Sequence, residues 1–154
     1  MTISTVSTLP ELAIARPLRI DFAALEAMAK DAKSAFPYEC CGFMFGRSLS
    51  THLELLRIEP VINRTEENAE RRFQIAPIDY LHAERQAERE GLDLLGVYHS
   101  HPLHPAVPSV HDLAVAMPDF SYVILSAFED VVISVRSWRL NGKGSFSEES
   151  IQYL

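Results

Sequence analysis

Residues 94–112 read Leu94-Leu95-Gly96-Val97-Tyr98-His99-Ser100-His101-Pro102-Leu103-His104-Pro105-Ala106-Val107-Pro108-Ser109-Val110-His111-Asp112. The apolar run 94–98 predicts a buried strand, with His99 and His101 delivered at its end. Extended backbone sends side chains at i and i+2 to the same side, so both imidazoles face one point while Ser100 faces the other way. Three prolines restrict the loop that follows, and Ser109 then opens a helix predicted to reach about Met117, closed by Pro118. Ser109 and Asp112 have the spacing of a capping box. The same spacing brings a carboxylate back toward the two histidines. Two imidazoles and a carboxylate form the ligand set of an open zinc site, with three protein ligands at about 2.0–2.2 Å and a water in the fourth position. His99, His101 and Asp112 are therefore the candidate ligands of one zinc ion, and the cap and ligand readings of Asp112 are compatible.

Outward from this stretch, Asp21 reads as the N-cap of a helix to about Ala35, with Leu25, Met28, Ala29 and Ala32 on one face and Pro37 as its stop. Residues 42–46 and 53–62 read as two strands paired through the polar turn 47–51, the second interrupted by Pro60. The charged stretch 63–71 reads as an exposed loop leading into a short strand at 72–75. Pro77 fits a first helical position, and the helix that follows ends at Gly91. Residues 122–127 and 131–138 predict a hairpin about Glu129-Asp130, and 146–153 predicts a weak edge strand after the turn 141–144. Helices scattered between strands imply an α/β (α+β) fold, a mixed β-sheet flanked by helices, with one domain over 18–154.

A chain of 154 residues is long enough for one real core. Its formal charge of −7 weighs against nucleic-acid binding, which ordinarily requires a basic face. Residues 1–17 lack a basic n-region and a long apolar run, so they read as a loose or edge-paired leader and not as a signal peptide. No stretch approaches the length of a membrane span, and the expected location is the cytoplasm. Cys40 and Cys41 are neighbours and provide no disulfide framework.

Water activated at a zinc site still needs a proton carrier, and the histidine run has no free acid for it. Glu39 stands at the entrance to an apolar strand, where burial would raise its pKa. A solvated linker carboxylate fits the same position equally well. The other histidines are weaker candidates: His104 and His111 suit surface or supporting positions, and His52 and His82 carry no assigned role.

The pattern Glu39-x-Cys41-Gly42, followed by Gly96-Val97-Tyr98-His99-Ser100-His101-Pro102, six residues, Ser109, two residues and Asp112, resembles the JAMM/MPN metalloprotease motif. The resemblance implies a JAMM/MPN-like, cytidine-deaminase-like single domain. It further implies that His99, His101 and Asp112 bind zinc, that Glu39 is general base and acid, and that Ser109 stabilises the tetrahedral oxyanion. The compact length is similar to the short stand-alone prokaryotic type, without the insertions of eukaryotic deubiquitinases. Residues 72–77 and 105–109 resemble enzymes that cleave after the C-terminal Gly-Gly of ubiquitin-like sulfur carriers, in one branch releasing cysteine. That implies a carrier protein as partner, and neither nucleic acid nor membrane; the oligomeric state stays open.

A glycine-ended tail suits addition to a sheet edge, for which the strand expected at 72–75 is the candidate. Arg64, Arg71 and Arg72 beside it suit an acidic carrier surface or, equally, a solvated charge cluster. Three other readings are open. A non-catalytic MPN-type scaffold would ordinarily lack zinc ligands or the glutamate, a zinc deaminase expects a Cys-x-x-Cys pair, and a thiol protease would use Cys41 with a histidine base.

Overall fold

β4 (Asp93–Pro102) is buried from Leu95 onward and lies at the centre of an eight-stranded mixed sheet in the computed structural model, which describes residues 15–154. The strand order is β7-β6-β5-β4-β2-β3-β1-β8, where β1 is Leu18–Ile20, β2 Cys41–Ser48, β3 Leu53–Val61, β5 Ser121–Phe128, β6 Val131–Leu140, β7 Phe146–Glu149 and β8 Ile151–Tyr153. β4 runs parallel to β5 and antiparallel to β2, so its C-terminal end lies where strand direction changes within the sheet. The register sets His99 between Cys41 and Ile124.

Side chains of β4 divide between two cores, alternating from Gly96 onward, with a register shift at Leu95, between the Leu94 and Gly96 pairings, that leaves Leu95 on the same side as Tyr98. Leu95 and Tyr98 join Ala24, Met28 and Ala32 of α1 (Phe22–Ala35) on one face. Val97 joins Phe43, Phe45, Ala83 and Ala87, the last two from α2 (Pro77–Glu90), on the other. Both helices follow the sequence expectation, including the Asp21 N-cap position and a left-handed Gly91 at the end of α2 whose amide bonds the last turn. On α1 the buried residues are Ala24, Met28 and Ala32, with Leu25 partly buried against them, while Ala29, expected on this face, is only half-buried. His99 and His101 continue the α2 face, and Ser100 turns toward the α1 side.

Three expected elements differ. Residues 72–75 form no strand, because the Asn63 side chain occupies the groups a ladder would use: its Nδ2 donates to the Arg72 carbonyl at 3.0 Å and its Oδ1 accepts from the Gln74 amide at 3.0 Å. The sheet edge imagined there for a substrate tail does not exist. α3 is Val110–Ala114, shorter than 109–117, since the Met117 amide donates to Tyr122 Oη at 2.6 Å and turns the chain toward β5.

The segment 146–153 is two strands at opposite ends of the strand order, separated by Ser150 alone. The sheet therefore curls until its edges meet there, with the Leu18 amide donating to the Ser150 carbonyl at 2.9 Å. Buried Glu149 accepts from Ser137 Oγ at 2.8 Å and Ser121 Oγ at 2.9 Å, while Ile151 packs on the α1 core, so the break at Ser150 serves two different environments. Of the expected leader, 1–14 lies outside the described residues. Arg16, in the remainder, donates to the Leu49 carbonyl at 2.6 Å.

Candidate metal centre

The end of β4, the start of β2 and the N-terminus of α3 converge on one point. His99 Nε2 and His101 Nε2 are 3.1 Å apart, and each is 3.2 Å from Asp112 Oδ2. Tetrahedral zinc with ligands at about 2.0–2.1 Å spaces them about 3.3–3.4 Å apart, close to this triangle. His101 Nδ1 lies 2.8 Å from the Pro105 carbonyl, an acceptor, so the neutral ring carries its proton on Nδ1 and presents a lone pair at Nε2. That lone pair faces a carboxylate oxygen. Two acceptors at this separation with no proton between them repel, and a cation resolves the conflict.

Protonation states favour the same use. Burial holds the fully buried His99 imidazole below its ordinary pKa, which keeps it neutral. Burial would raise the Asp112 carboxyl, but the two neighbouring imidazoles and the Ser109 amide, which donates to Asp112 Oδ2 at 2.8 Å, outweigh it and hold Asp112 well below the usual range. The capping box is complete, with Ser109 Oγ accepting from the Asp112 amide at 3.1 Å. Asp112 is thus cap and converging carboxylate at once. Ser109 keeps its hydroxyl proton free to donate.

Glu39 is buried, 4% exposed, which rejects the solvated-linker alternative. One of its oxygens joins the histidine nitrogens in a group within 4.8 Å of one another, and its Oε1 has no hydrogen-bond partner among the described residues. Burial first, then the Asp112 charge, push its carboxyl up to about 9, with Arg71 pulling the other way. A cleft of about 410 Å³ opens over these groups, lined by Glu39, His101, Ser109, Arg71 and Arg72. The residues fit a divalent ion with an adjacent proton carrier.

The model for prokaryotic homologs of the JAB domain matches residues 23–141. The chain belongs to this family. Among JAB-domain relatives, a desampylase from Pyrococcus furiosus is 32% identical over 82% of this chain and 84% of its own length. A probable TtuB-protein conjugate cleaving protease from Thermus thermophilus is 50% identical over a shorter stretch, 31% of this chain and 32% of its own. Among solved structures, a Desulfitobacterium hafniense protein superposes with TM-score 0.78 at 29% identity, covering 89% of this chain and 92% of that one. A Salinibacter ruber protein reaches 0.68 at 33% identity, covering 88% and 91%.

This JAB-domain chain also holds its site through residues to which the sequence reading assigned no role. Ser100 Oγ accepts from the Cys40 amide at 2.8 Å and its own amide donates to the Cys40 carbonyl at 3.1 Å, fixing the residue beside Glu39. Asn63 Nδ2 also reaches the Glu39 carbonyl at 3.3 Å. Trp138 Nε1 donates to the Ala106 carbonyl at 3.0 Å and Ser126 Oγ to that of His104, which pins the proline loop on β5 and β6. The prolines signalled a restrained loop but not its anchors.

Cys41 and Cys40 are buried thiols packed in opposite cores. Burial raises both, Cys41 to about 12 and Cys40 further, so neither is a thiolate nucleophile at neutral pH. No helix among the described residues is long and apolar enough to cross a membrane.

Proposed function

We propose that the chain is a zinc-dependent JAMM-type peptidase or isopeptidase, with 18–154 as its catalytic domain. Its substrate would be the bond after the C-terminal Gly-Gly of a ubiquitin-like sulfur carrier. The observation that carries this reading is the triangle of His99, His101 and Asp112 ligand atoms with the partnerless Glu39 oxygen beside it. Zinc held there supplies Lewis-acid polarisation of a carbonyl and acidifies water. Glu39 takes the proton of the attacking water and passes it to the departing amine, a transfer worth about 10²–10⁴ in rate. A carboxyl raised to about 9 suits the acid half of that cycle, and a cation held beside it would favour the ionised form that the base half needs. The Ser109 hydroxyl donates to the oxygen that becomes negative as the carbonyl turns tetrahedral.

The name of the Thermus thermophilus relative, which refers to cleavage of a protein conjugate, supports a protein-conjugate substrate. The scaffold reading is disfavoured because all five motif side chains are present and converge. A deaminase ligand set is absent among the described residues, both cysteines being packed into the cores.

The test offers the protein a Gly-Gly-ended ubiquitin-like carrier bearing either a C-terminal extension or a lysine-linked protein. Chelation should abolish cleavage and zinc should restore it, while Glu39→Gln should retain zinc and lose at least about a hundredfold in kcat. Hydrolysis undiminished in metal-free protein would overturn the proposal.

A further inference from the structure

The two histidines are held in place by different means. His101 is oriented by its hydrogen bond to the Pro105 carbonyl at 2.8 Å. His99 has no such bond: its Nδ1 is buried without a partner among the described residues. Metal-ligating imidazoles ordinarily use the second nitrogen for this purpose, and the partner fixes both tautomer and ring orientation. Against His99 lies instead the ring of Phe73, stacked with centroids 4.5 Å apart and planes inclined by 28°.

Resting on the metal site proposed above, we infer that Phe73 is a positioning residue for His99, its aromatic face holding the imidazole plane where a hydrogen bond is missing. Rotation of the His99 ring about its Cβ–Cγ bond would drive its edge into the Phe73 face, so the stack restricts the freedom a hydrogen bond would remove. An imidazole that donates electron density to a cation is electron-poor, which strengthens its attraction to the negative face of a benzene ring.

The platform is itself rigid. Asn63 bonds the residues on both sides of Phe73, through the Arg72 carbonyl and the Gln74 amide, and the same side chain reaches the Glu39 carbonyl. Ile75 anchors the far end in the α2-side core. One asparagine therefore ties the orientation of His99 to the position of Glu39.

Phe73→Leu keeps an apolar side chain but removes the flat face, and Phe73→Tyr keeps the face. Zinc affinity is measured on chelator-stripped protein by competition with a chromophoric chelator. The visible spectrum of the cobalt(II)-loaded form and the thermal midpoint of the metal-free form are recorded alongside. Phe73→Leu should bind zinc about 10–100-fold more weakly and alter the cobalt spectrum, whereas Phe73→Tyr should recover affinity and spectrum. Equal zinc affinity and an unchanged cobalt spectrum in Phe73→Leu would overturn the inference, as would equal losses in both variants. If Phe73→Leu does not fold, Phe73→Met makes the same comparison. Failure of the wild-type protein to bind zinc would remove the metal reading itself, while normal wild-type binding with an unaffected Phe73→Leu removes only the role of Phe73.

Discussion

Replacing Glu39 with glutamine in the metal-free protein tests whether this carboxyl is buried as described. Burial and the Asp112 charge raise its pKa from 4.5 to about 9. Between these values the folded chain keeps a proton that the unfolded chain has released. Stability from this group is therefore complete below pH 4.5 and falls as pH rises toward 9. The slope is about 1.4 kcal/mol per pH unit, which accumulates to about 3 kcal/mol by neutral pH. Glutamine has no proton to release and removes the dependence. Denaturant unfolding of chelator-treated wild type and Glu39→Gln, from about pH 5 to about pH 9, reads the difference directly, because titrations common to both proteins largely cancel. The variant should match wild type at the acid end and exceed it increasingly toward the alkaline end. Saturating zinc should shrink the gap, since a nearby cation favours the ionised carboxylate. A stability difference that stays constant with pH would refute the reasoning and return Glu39 to a solvent-facing linker.

Two further substitutions probe the surroundings. Ser109→Ala removes the acceptor for the Asp112 amide and should cost about 1 kcal/mol in stability with a kcat loss of about 10²–10³. Ser109→Thr should recover most of the stability, and an unchanged kcat in Ser109→Ala would exclude the hydroxyl from the chemistry. Gly96 has φ +154°, and a Cβ there would overlap the Ser121 backbone carbonyl across the β4–β5 ladder. Gly96→Ala should lower stability by about 2–4 kcal/mol in thermal or denaturant unfolding. Gly91→Ala, at a left-handed cap with open space around it, should cost only about 1 kcal/mol; equal losses at the two sites would contradict the close-approach explanation.

The sequence alone determined what depends on local pattern. Alternation put His99 and His101 on one side of β4, and the Ser109–Asp112 spacing returned a carboxylate to them through the helix cap. The apolar runs placed β2, β3, β5 and β6 within a few residues, and the Pro77 and Gly91 signals bounded α2. These features follow from side-chain period and backbone chemistry along contiguous residues.

Only the tertiary structure decided what depends on side chains meeting from distant positions. Nothing local marks Asn63 as the group that keeps 72–75 out of the sheet, because its partners are backbone groups nine and eleven positions away that it meets only in the folded chain. The division of 146–153 at Ser150 depends on the sheet curling until its edges meet, with buried polar partners for Glu149 on one side and an apolar core for Ile151 on the other. Glu39 shows the limit most directly. Its residue type permitted either solvent or burial, and its high pKa arises from desolvation by the assembled fold and from a carboxylate seventy-three positions away, distances that exist only after the chain has packed.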